Sequence, residues 1–386
     1  MQKPKIIVAH PGLQHSVKAC NALYRSGLLL KFFTSHLRRK DFIKDLPSDV
    51  IVWNPSLSIL DKIYNRLCDK LSVYKWAIWF DKWVSEELKK YNFDCFIGYE
   101  TASLESFRVC KERGIYCVLD HAATHWKWQN NLFTKEEFLG NQVVDLSHKL
   151  ISEVNARKEK ELNLADLILS LSSYSKDTLL YGGVPDEKIR MVSLGVDIDK
   201  FISKEVYLQD KELKILFVGN IVPGKGIKYL LEAYLSLTLN NIKLKLVGHM
   251  NMNIKNILKK YKNIQYIPTV NVDKLVDLYH EADIFVFPSI NDSFAQVVVE
   301  AMSCGLPVIV TENTGAKDAV RDGVDGFIIP ASDVEAIKEK ILYFYHNRNK
   351  IEEMGKNARK QAEVYNLEKY GENLVKVIIG ALGSRK

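Results

Sequence analysis

Short runs of β-branched and other apolar residues alternate with segments of helical period along the whole chain, and this alternation limits the folds open to it. In the first half the strand runs are Lys5–Ala9, Lys31–Thr34, Val50–Val52, Cys95–Gly98, Tyr116–Leu119 and Leu167–Leu171. In the second half they are Lys214–Val218, Lys243–Val247, Ile264–Ile267, Ile284–Phe287, Val308–Val310 and Gly326–Ile329. Strands spaced by helices make βαβ units and parallel sheets, so two such series predict two doubly wound α/β domains. A length of 386 residues agrees, since one hydrophobic core rarely serves a chain of that size.

The stretch "VSLGVDIDKFISKEVYLQDKELK" separates the two series. A strand is expected to end at Leu194, Gly195 to permit a turn, and charged residues to lead into the next strand. The expected division is residues 1–196, residues 197–365, and a last helix over residues 366–386. The apolar spacing of Leu367, Tyr370, Leu374 and Val377 lets that helix return to the first domain. Ligands of open parallel sheets bind beyond the carboxyl ends of the strands, so two Rossmann-like domains facing a central cleft are the expected architecture.

Composition excludes several classes. No apolar stretch approaches the ~18–20 residues that span a bilayer, and the apolar run Ile6–Ala9 is too short for a signal peptide, so a cytoplasmic protein is expected. The six cysteines, Cys20, Cys68, Cys95, Cys110, Cys117 and Cys304, form no C-x-x-C pair and are expected as free thiols. A net charge of +7 is mild, and clusters such as Arg38, Arg39, Lys40 are too short to indicate a nucleic acid partner. No G-x-G-x-x-G follows the first strand, which disfavours a nicotinamide dehydrogenase.

The densest chemistry lies in "IFVFPSINDSFAQVVVEAMSCGLPVIV", which reads strand, loop, helix, turn, strand. Pro288 stops the strand, Asp292 or Ser293 is the expected helix cap, and Gly305-Leu306-Pro307 ends the helix. Amides of Ser293 to Gln296 would then be free to meet a phosphate at the helix start. Glu300 follows two turns later, beside a different part of any bound molecule. A diphosphate joining two hydroxyl-bearing groups matches this layout.

This stretch resembles the E-x(7)-E signature of the retaining glycosyltransferases of family 4, which have the GT-B fold; here it stands as "PSINDSFAQVVVEAMSCGLPV". The resemblance runs from about Glu153 to Lys340 and takes in "NLADLILSLSSYSKDTLLYGGVPDEKIRMVSLGVDIDKF" and "NTGAKDAVRDGVDGFIIPASD". It implies that Asp292 contacts donor-sugar hydroxyls, that the main chain of Ser293, Phe294, Ala295, Gln296 and Val297 approaches sugar and diphosphate, and that Glu300 takes the ribose. "LFVGNIVPGKGIKYLLEAY" is similar to the family's G-R-x-x-x-x-K-G, which implies a donor-phosphate role for the loop Gly219-Asn220 and for Lys225. Two departures stand out: Asn220 replaces the usual arginine, and Asp292 replaces glutamate with a carboxylate one methylene shorter.

In the first half, "AHPGLQHSVKACNAL" stands at the family's glycine-rich loop, with Gly12 allowing close backbone approach, a donor-phosphate or acceptor role open to Gly12 and Leu13, and Ser16 as a helix cap. In "DHAATHW" the resemblance implies a histidine lining the donor sugar, for which His121, at the strand end, is preferred to His125. His15, Glu100, His125 and Trp126 are candidates for the acceptor side. Asp197-Ile-Asp199 matches a metal-nucleotide D-x-D pattern, but its linker setting reads as capping and hinge structure, so metal independence and no cofactor are expected. All six tryptophans (Trp53, Trp76, Trp79, Trp83, Trp126, Trp128) fall in the first half. Trp76, Trp79 and Trp83 share a helical face that either packs on its own sheet or rests on an anionic membrane.

The resemblance thus implies a retaining glycosyltransferase moving a sugar from a nucleoside-diphosphate sugar to a saccharide or lipid-linked saccharide, in surface polysaccharide or glycolipid synthesis. Lys225, Asp292 and His121 would carry the transfer. The alternatives are a nucleotide-sugar 2-epimerase-like enzyme and a non-catalytic sugar-nucleotide-binding partner subunit.

Overall fold

The computed structural model describes residues 3–13, 15–35, 45–57, 71–135, 148–207, 212–250 and 263–384. The Arg38, Arg39, Lys40 cluster and Cys68 lie outside them. The structure divides into two compact units. One takes the described residues of Met1–Leu171, Thr178–Val192 and Tyr370–Lys386, the other those of Ser172–Asp177 and Ser193–Lys369.

The first unit is built on seven strands: β1 (Ile6–Ala9), β2 (Leu29–Thr34), β3 (Ile51–Trp53), β4 (Cys95–Tyr99), β5 (Tyr116–His121), β6 (Leu167–Ser170) and β7 (Ile189–Met191). They form one parallel sheet in the order β3-β2-β1-β4-β5-β6-β7. The helices along this part of the chain are α1 (Ser16–Arg25), α2 (Leu71–Leu88), α3 (Leu104–Glu112), α4 (Trp126–Lys135), α5 (His148–Leu164) and α6 (Ser173–Tyr181). β1 and β4 are buried at every position, the continuous apolar run of a strand covered on both faces. Order reverses between β1 and β4, and the crevice beyond their carboxyl ends is where such sheets bind ligands.

The second unit carries β8 (Leu213–Val218), β9 (Ile242–Val247), β10 (Ile264–Ile267), β11 (Ile284–Phe287), β12 (Val308–Thr311) and β13 (Gly326–Ile329), all parallel, in the order β10-β9-β8-β11-β12-β13. Its helices are α7 (Ile227–Ser236), α8 (Val272–Glu281), α9 (Gln296–Ser303), α10 (Val334–His346) and α11 (Asn349–Ala362). The reversal here lies between β8 and β11. The last helix, α12 (Leu367–Gly383), buries Tyr370, Gly371, Leu374 and Ile378. Val377, expected on that face, is half-buried, and Leu367 is exposed.

Two details at the boundary differ from the sequence reading. The strand expected to end at Leu194 closes at Met191, although the Val192 amide still donates to the Ser170 carbonyl at 2.8 Å. Gly195 is there for close approach: a Cβ at this position would lie 2.5 Å from the carbonyl oxygen of Asn366, whose neighbour Tyr365 accepts from the Val196 amide at 2.7 Å. At the D-x-D pattern, the Asp197 carbonyl accepts from the amides of Lys200 and Phe201, and its carboxylate pairs with Lys200 at 3.2 Å. This is a local turn. Among the described residues no group of three or more His, Cys, Asp or Glu side chains is placed to hold a metal ion.

The core of the first unit gathers Ile7, Phe33, Phe80, Val84, Phe96, Phe107, Leu119 and Ile168. Burying each such side chain contributes about 1.5–3 kcal/mol before entropy is counted. Trp79 and Trp83 pack against this cluster, with Trp83 edge-on to Phe33 and Phe80 at 5.6 and 5.7 Å. Of the two readings of that helix, packing on its own sheet therefore describes these two half-buried rings. Among the described residues no helix is long and apolar enough to cross a membrane.

Candidate functional site

In the second unit, the loops that leave β8 and β11 meet at the reversal of strand order. Pro223–Lys225 forms one 3-10 turn, and Gly226 then adopts a left-handed conformation (φ 69°) to start α7. A Cβ on Gly226 would lie 1.8 Å from the Pro288 carbonyl oxygen, so glycine alone lets the two loops touch. The Ile290 amide and the Ser289 hydroxyl both donate to the Gly224 carbonyl, at 3.1 and 3.2 Å. Lys225 and Asp292 form an ion pair across this junction. The Lys225 ammonium also lies 5.7 Å from the centre of the Phe287 ring, which stacks on Phe217. Asn220, after Gly219, is exposed.

Asp292 does not cap α9. Its Oδ1 accepts from the Phe294 and Ala295 amides at 3.1 and 2.7 Å, and the cap position is Ala295, left-handed at φ 59° with no side-chain partner. An alanine in that conformation costs about 1–2 kcal/mol, which the two bonds to Asp292 offset. The expectation of free amides from Ser293 to Gln296 fails for these two. The physical reason is that a carboxylate one methylene shorter than glutamate folds back on its own loop, so the amides and the Lys225 ammonium surround an anion the chain itself provides.

Glu300 is buried on α9, with Gln296 Nε2 donating to Oε1 at 2.9 Å and the Tyr279 hydroxyl donating to Oε2 at 3.3 Å. Burial first, then the Glu300 charge, pushes the Tyr279 hydroxyl well above its usual range, so it acts as a donor. The same hydroxyl is 3.3 Å from the Val297 carbonyl. Tyr279, on α8, carries no sequence signal beyond apolar spacing and was missed.

The Asp292 loop is tied from elsewhere in the second unit. Ser172 Oγ donates to the Ser293 carbonyl at 2.6 Å, Tyr174 Oη donates to Asn291 Oδ1 at 2.9 Å, and the Ser173 amide and hydroxyl donate to the Asp318 carboxylate at 2.6 and 2.5 Å. The Gly315 amide donates to the Asp292 carbonyl at 2.9 Å. These ties join residues up to 145 positions apart, which no local pattern announces.

In the first unit, the loop after β1 bends so that the Gly12 amide donates to His10 Nδ1 at 2.8 Å. Ser16 is not a cap: it is the first residue of α1, buried, and its hydroxyl donates to the Leu13 carbonyl, while His15 holds the cap position. His15 Nε2 lies 3.3 Å from Asp120 Oδ2 at the end of β5, and both His15 and His10 pack edge-on against Tyr99 at the end of β4. Successive strand residues point to opposite faces, so Glu100 and His121 form a separate cluster. His121 Nε2 is 3.1 Å from Glu100 Oε1, and Lys158 Nζ from α5 is 2.8 Å from Glu100 Oε2. Burial pushes the Glu100 carboxyl up, but Lys158 and His121 outweigh it and hold it well below the usual carboxylate range. For Lys158 burial works downward, and Glu100 outweighs it in turn.

His125 is buried too: Nδ1 accepts from the Lys127 amide at 3.2 Å, and Nε2 lies 3.4 Å from Glu159 without a hydrogen bond. Trp126 stacks on it and donates its indole N–H to Glu159 at 2.8 Å. A Cβ on Gly182 would lie 2.5 Å from the His125 ring. Burial is the main reason that His125 titrates low, at about 4. His125 and Trp126 therefore hold the start of α4.

The turn that presents Glu100 is strained at Thr101 (φ 71°) and is held from α5. Glu161 accepts from the amides of Thr101 and Ser103 at 2.6 and 3.0 Å, and Arg157 Nε donates to the Thr101 carbonyl at 2.9 Å. Arg157 also pairs with buried Asp81, which accepts from the Glu105 and Ser106 amides at the start of α3. Burial raises Glu161 to about 8, against the pull of the Ser103 amide and Arg157. Between the ordinary 4.5 and about 8 the native chain keeps a proton that the unfolded chain has released, so this group's contribution is full below that window and is lost as pH rises through it. Glu161→Gln is expected to remove up to about 1.4 kcal/mol per pH unit of slope from the stability of this unit between pH 5 and 8. Urea unfolding at several pH values checks this, and an unchanged slope would refute it.

Residues 199–361 match the family model described as "Glycosyl transferases group 1". Among curated relatives, the capsular polysaccharide biosynthesis glycosyltransferase CapM of Staphylococcus aureus is 29% identical over 214 residues, covering 51% of this chain and 56% of that protein. The chain spans about half the length of the curated relatives it matches. Among solved structures, sucrose-phosphate synthase from Thermosynechococcus elongatus superposes with a TM-score of 0.74 at 16% identity, covering 99% of this chain and 100% of that one. Anabaena HepE in complex with UDP gives 0.69 at 16% identity, covering 97% and 100%. At such identity the likeness speaks for the fold. The chain thus has the GT-B fold of two Rossmann-like α/β units, and its residues 199–361 carry the sequence pattern of the group 1 glycosyl transferases.

Proposed function

We propose that the protein is a glycosyltransferase that moves a sugar from a nucleoside-diphosphate sugar to a saccharide or lipid-linked saccharide acceptor, with retention at the anomeric carbon and without a metal ion. The observation that carries this is the meeting of Lys225 and Asp292 at the strand-order reversal of the unit that matches the family model. Such reversals bind phosphate-bearing ligands, and charge builds on the departing diphosphate as the glycosidic bond breaks. Lys225 supplies the compensating charge once a phosphate displaces Asp292 from it, and Asp292 is then free to meet sugar hydroxyls. Glu300, aimed by Gln296 and Tyr279, takes the ribose. HepE in complex with UDP supports the donor class, and CapM supports a role in surface polysaccharide synthesis.

Thermal stabilisation across a panel of nucleotides and nucleotide sugars tests this reading. A ligand at ~100 times its dissociation constant adds about 2.7 kcal/mol, and Glu300→Ala is expected to abolish that gain. No stabilisation by any nucleotide sugar would overturn the reading. Conversion of the donor in the absence of acceptor would favour the epimerase-like alternative, and an inverted product anomer would sink the retaining assignment.

A further inference from the structure

At the start of α9 the chain supplies its own anion to a set of donors suited to a phosphate. The Asp292 carboxylate pairs with the Lys225 ammonium through Oδ2 and accepts from the Phe294 and Ala295 amides through Oδ1, at 3.1 and 2.7 Å. All of these residues belong to the second unit. The main chain of Asp292 is pinned independently: its amide donates to the Asn313 carbonyl at 3.1 Å, and its carbonyl accepts from the Gly315 amide at 2.9 Å. A Cβ on Gly315 would lie 2.2 Å from the Ser293 carbonyl oxygen, so these two loops are in close contact. The carboxylate can therefore leave its three donors by rotating its side chain while the loop stays in place. With 24% and 17% of the Lys225 and Asp292 side chains exposed, the exchange takes place at a wetted edge where burial locks in neither charge.

We propose that Asp292 is an intramolecular competitor for the anion site, and that this competition makes the site prefer a sugar-bearing nucleoside diphosphate to the same diphosphate without its sugar. The preference rests on the proposed sugar-transfer reading; the competition rests on the geometry alone. A diphosphate that takes the Lys225 ammonium and the two amides replaces each bond it breaks, so the number of bonds to these donors is nearly unchanged. What differs is the fate of the displaced carboxylate. Beside a sugar it accepts from hydroxyl groups. Beside a bare diphosphate it meets only like charge and water, and the repulsion opposes binding. The spent nucleotide is thus held less firmly than the donor, and Asp292 returns to Lys225 as it leaves. A glutamate would compete less well, because the turn that seats Oδ1 on the amides of the second and third residues ahead suits the shorter side chain.

Isothermal titration of the full-length protein tests this. Inorganic pyrophosphate is the probe that carries neither base nor sugar, and UDP with UDP-glucose, ADP with ADP-glucose and GDP with GDP-mannose are the pairs compared. Asp292→Asn keeps an oxygen for the two amides and takes the negative charge away from Lys225. It is expected to tighten pyrophosphate and the bare nucleotide about fivefold or more, the equivalent of a partly exposed ion pair, and the sugar-bearing partner by less than about twofold. Asp292→Glu separates competition from repulsion, because it keeps the charge and gives up the turn amides; it should also tighten pyrophosphate, by about twofold or more. Wild-type pyrophosphate affinity in that variant would mean repulsion alone and would overturn the competition. Unchanged or weaker pyrophosphate binding by Asp292→Asn would overturn it too, as would no pyrophosphate binding by either protein. Asp292→Ser, which also offers the amides an oxygen without a charge, repeats the test if the asparagine variant does not fold. Equal gains for nucleotide and nucleotide sugar would overturn the donor preference. If pyrophosphate binding tightens yet no nucleotide sugar binds, the sugar-transfer reading fails, the donor preference falls with it, and the competition stands.

Discussion

Replacing Lys225 with methionine is expected to lower sugar transfer by about 10²–10³ while leaving the fold intact, because Lys225 is the cation placed at the strand-order reversal where a leaving diphosphate would gain charge. Two effects compete in this variant, and their sizes decide the outcome. The Lys225–Asp292 pair is partly exposed, 24% and 17% at the two side chains, so its loss costs at most about 1 kcal/mol of stability. Asp292 also keeps the Phe294 and Ala295 amides, which hold the loop shape without the lysine. The loss of transition-state stabilisation is several times larger, so kinetics should change far more than melting temperature. Steady-state kinetics beside a thermal scan reads both. Turnover within threefold of wild type would remove Lys225 from the mechanism and shift attention to Asn220 and Gly219 on the same loop.

Gly226→Ala is expected to be the most damaging single methyl in the second unit. The backbone there is left-handed, which an alanine tolerates at about 1–2 kcal/mol, but a Cβ would also sit 1.8 Å from the Pro288 carbonyl oxygen. That neighbour is backbone, so it cannot rotate away. Either α7 or the loop after β11 must shift, and overpacking of this kind costs roughly 1–3 kcal/mol more. The displaced loop carries Ser289 and Asp292, so donor binding should fall together with stability. A melting transition lowered by about 5 °C or more, with nucleotide-sugar stabilisation lost, is the expected result for a unit of this size. An alanine variant with wild-type melting and binding would show that the two loops can separate freely. Gly224→Ala is the control, because nothing lies within 4 Å of a Cβ there.

Much of the frame was legible before any coordinates. Strands such as Ile264–Ile267, Ile284–Phe287 and Gly326–Ile329 fall where the alternation of apolar runs and helical periods puts them. Side-chain burial repeats locally along a strand or helix, so a linear pattern reports it. Ends were less legible. The run read as stopping at Leu194 ends as a strand at Met191, and the start of α9 depends on how Asp292 folds back, which involves the three-dimensional path of the loop. The candidate site divides along the same line. The segments around Lys225, Asp292 and Glu300 declare themselves by residue type and spacing, as does the histidine-bearing loop after β5. Tyr279, Lys158, Glu161 and Ser172 do not, since each reaches its partner from another element.

The sequence by itself determined the class of fold, two series of parallel α/β units, and the segments in which charge, glycine and helix starts coincide. Only the tertiary structure decided what those segments do to one another: that Asp292 occupies two of the amides expected to stand free and pairs with the Lys225 ammonium, that Glu300 is aimed by Tyr279, and that His121 is oriented by a carboxylate 21 positions away and a lysine beyond it. The physical reason is range. Periodicity and turn chemistry act over a few residues and leave a trace in the chain, whereas hydrogen bonds and ion pairs join whatever the fold brings within about 3 Å, and distance along the sequence does not enter.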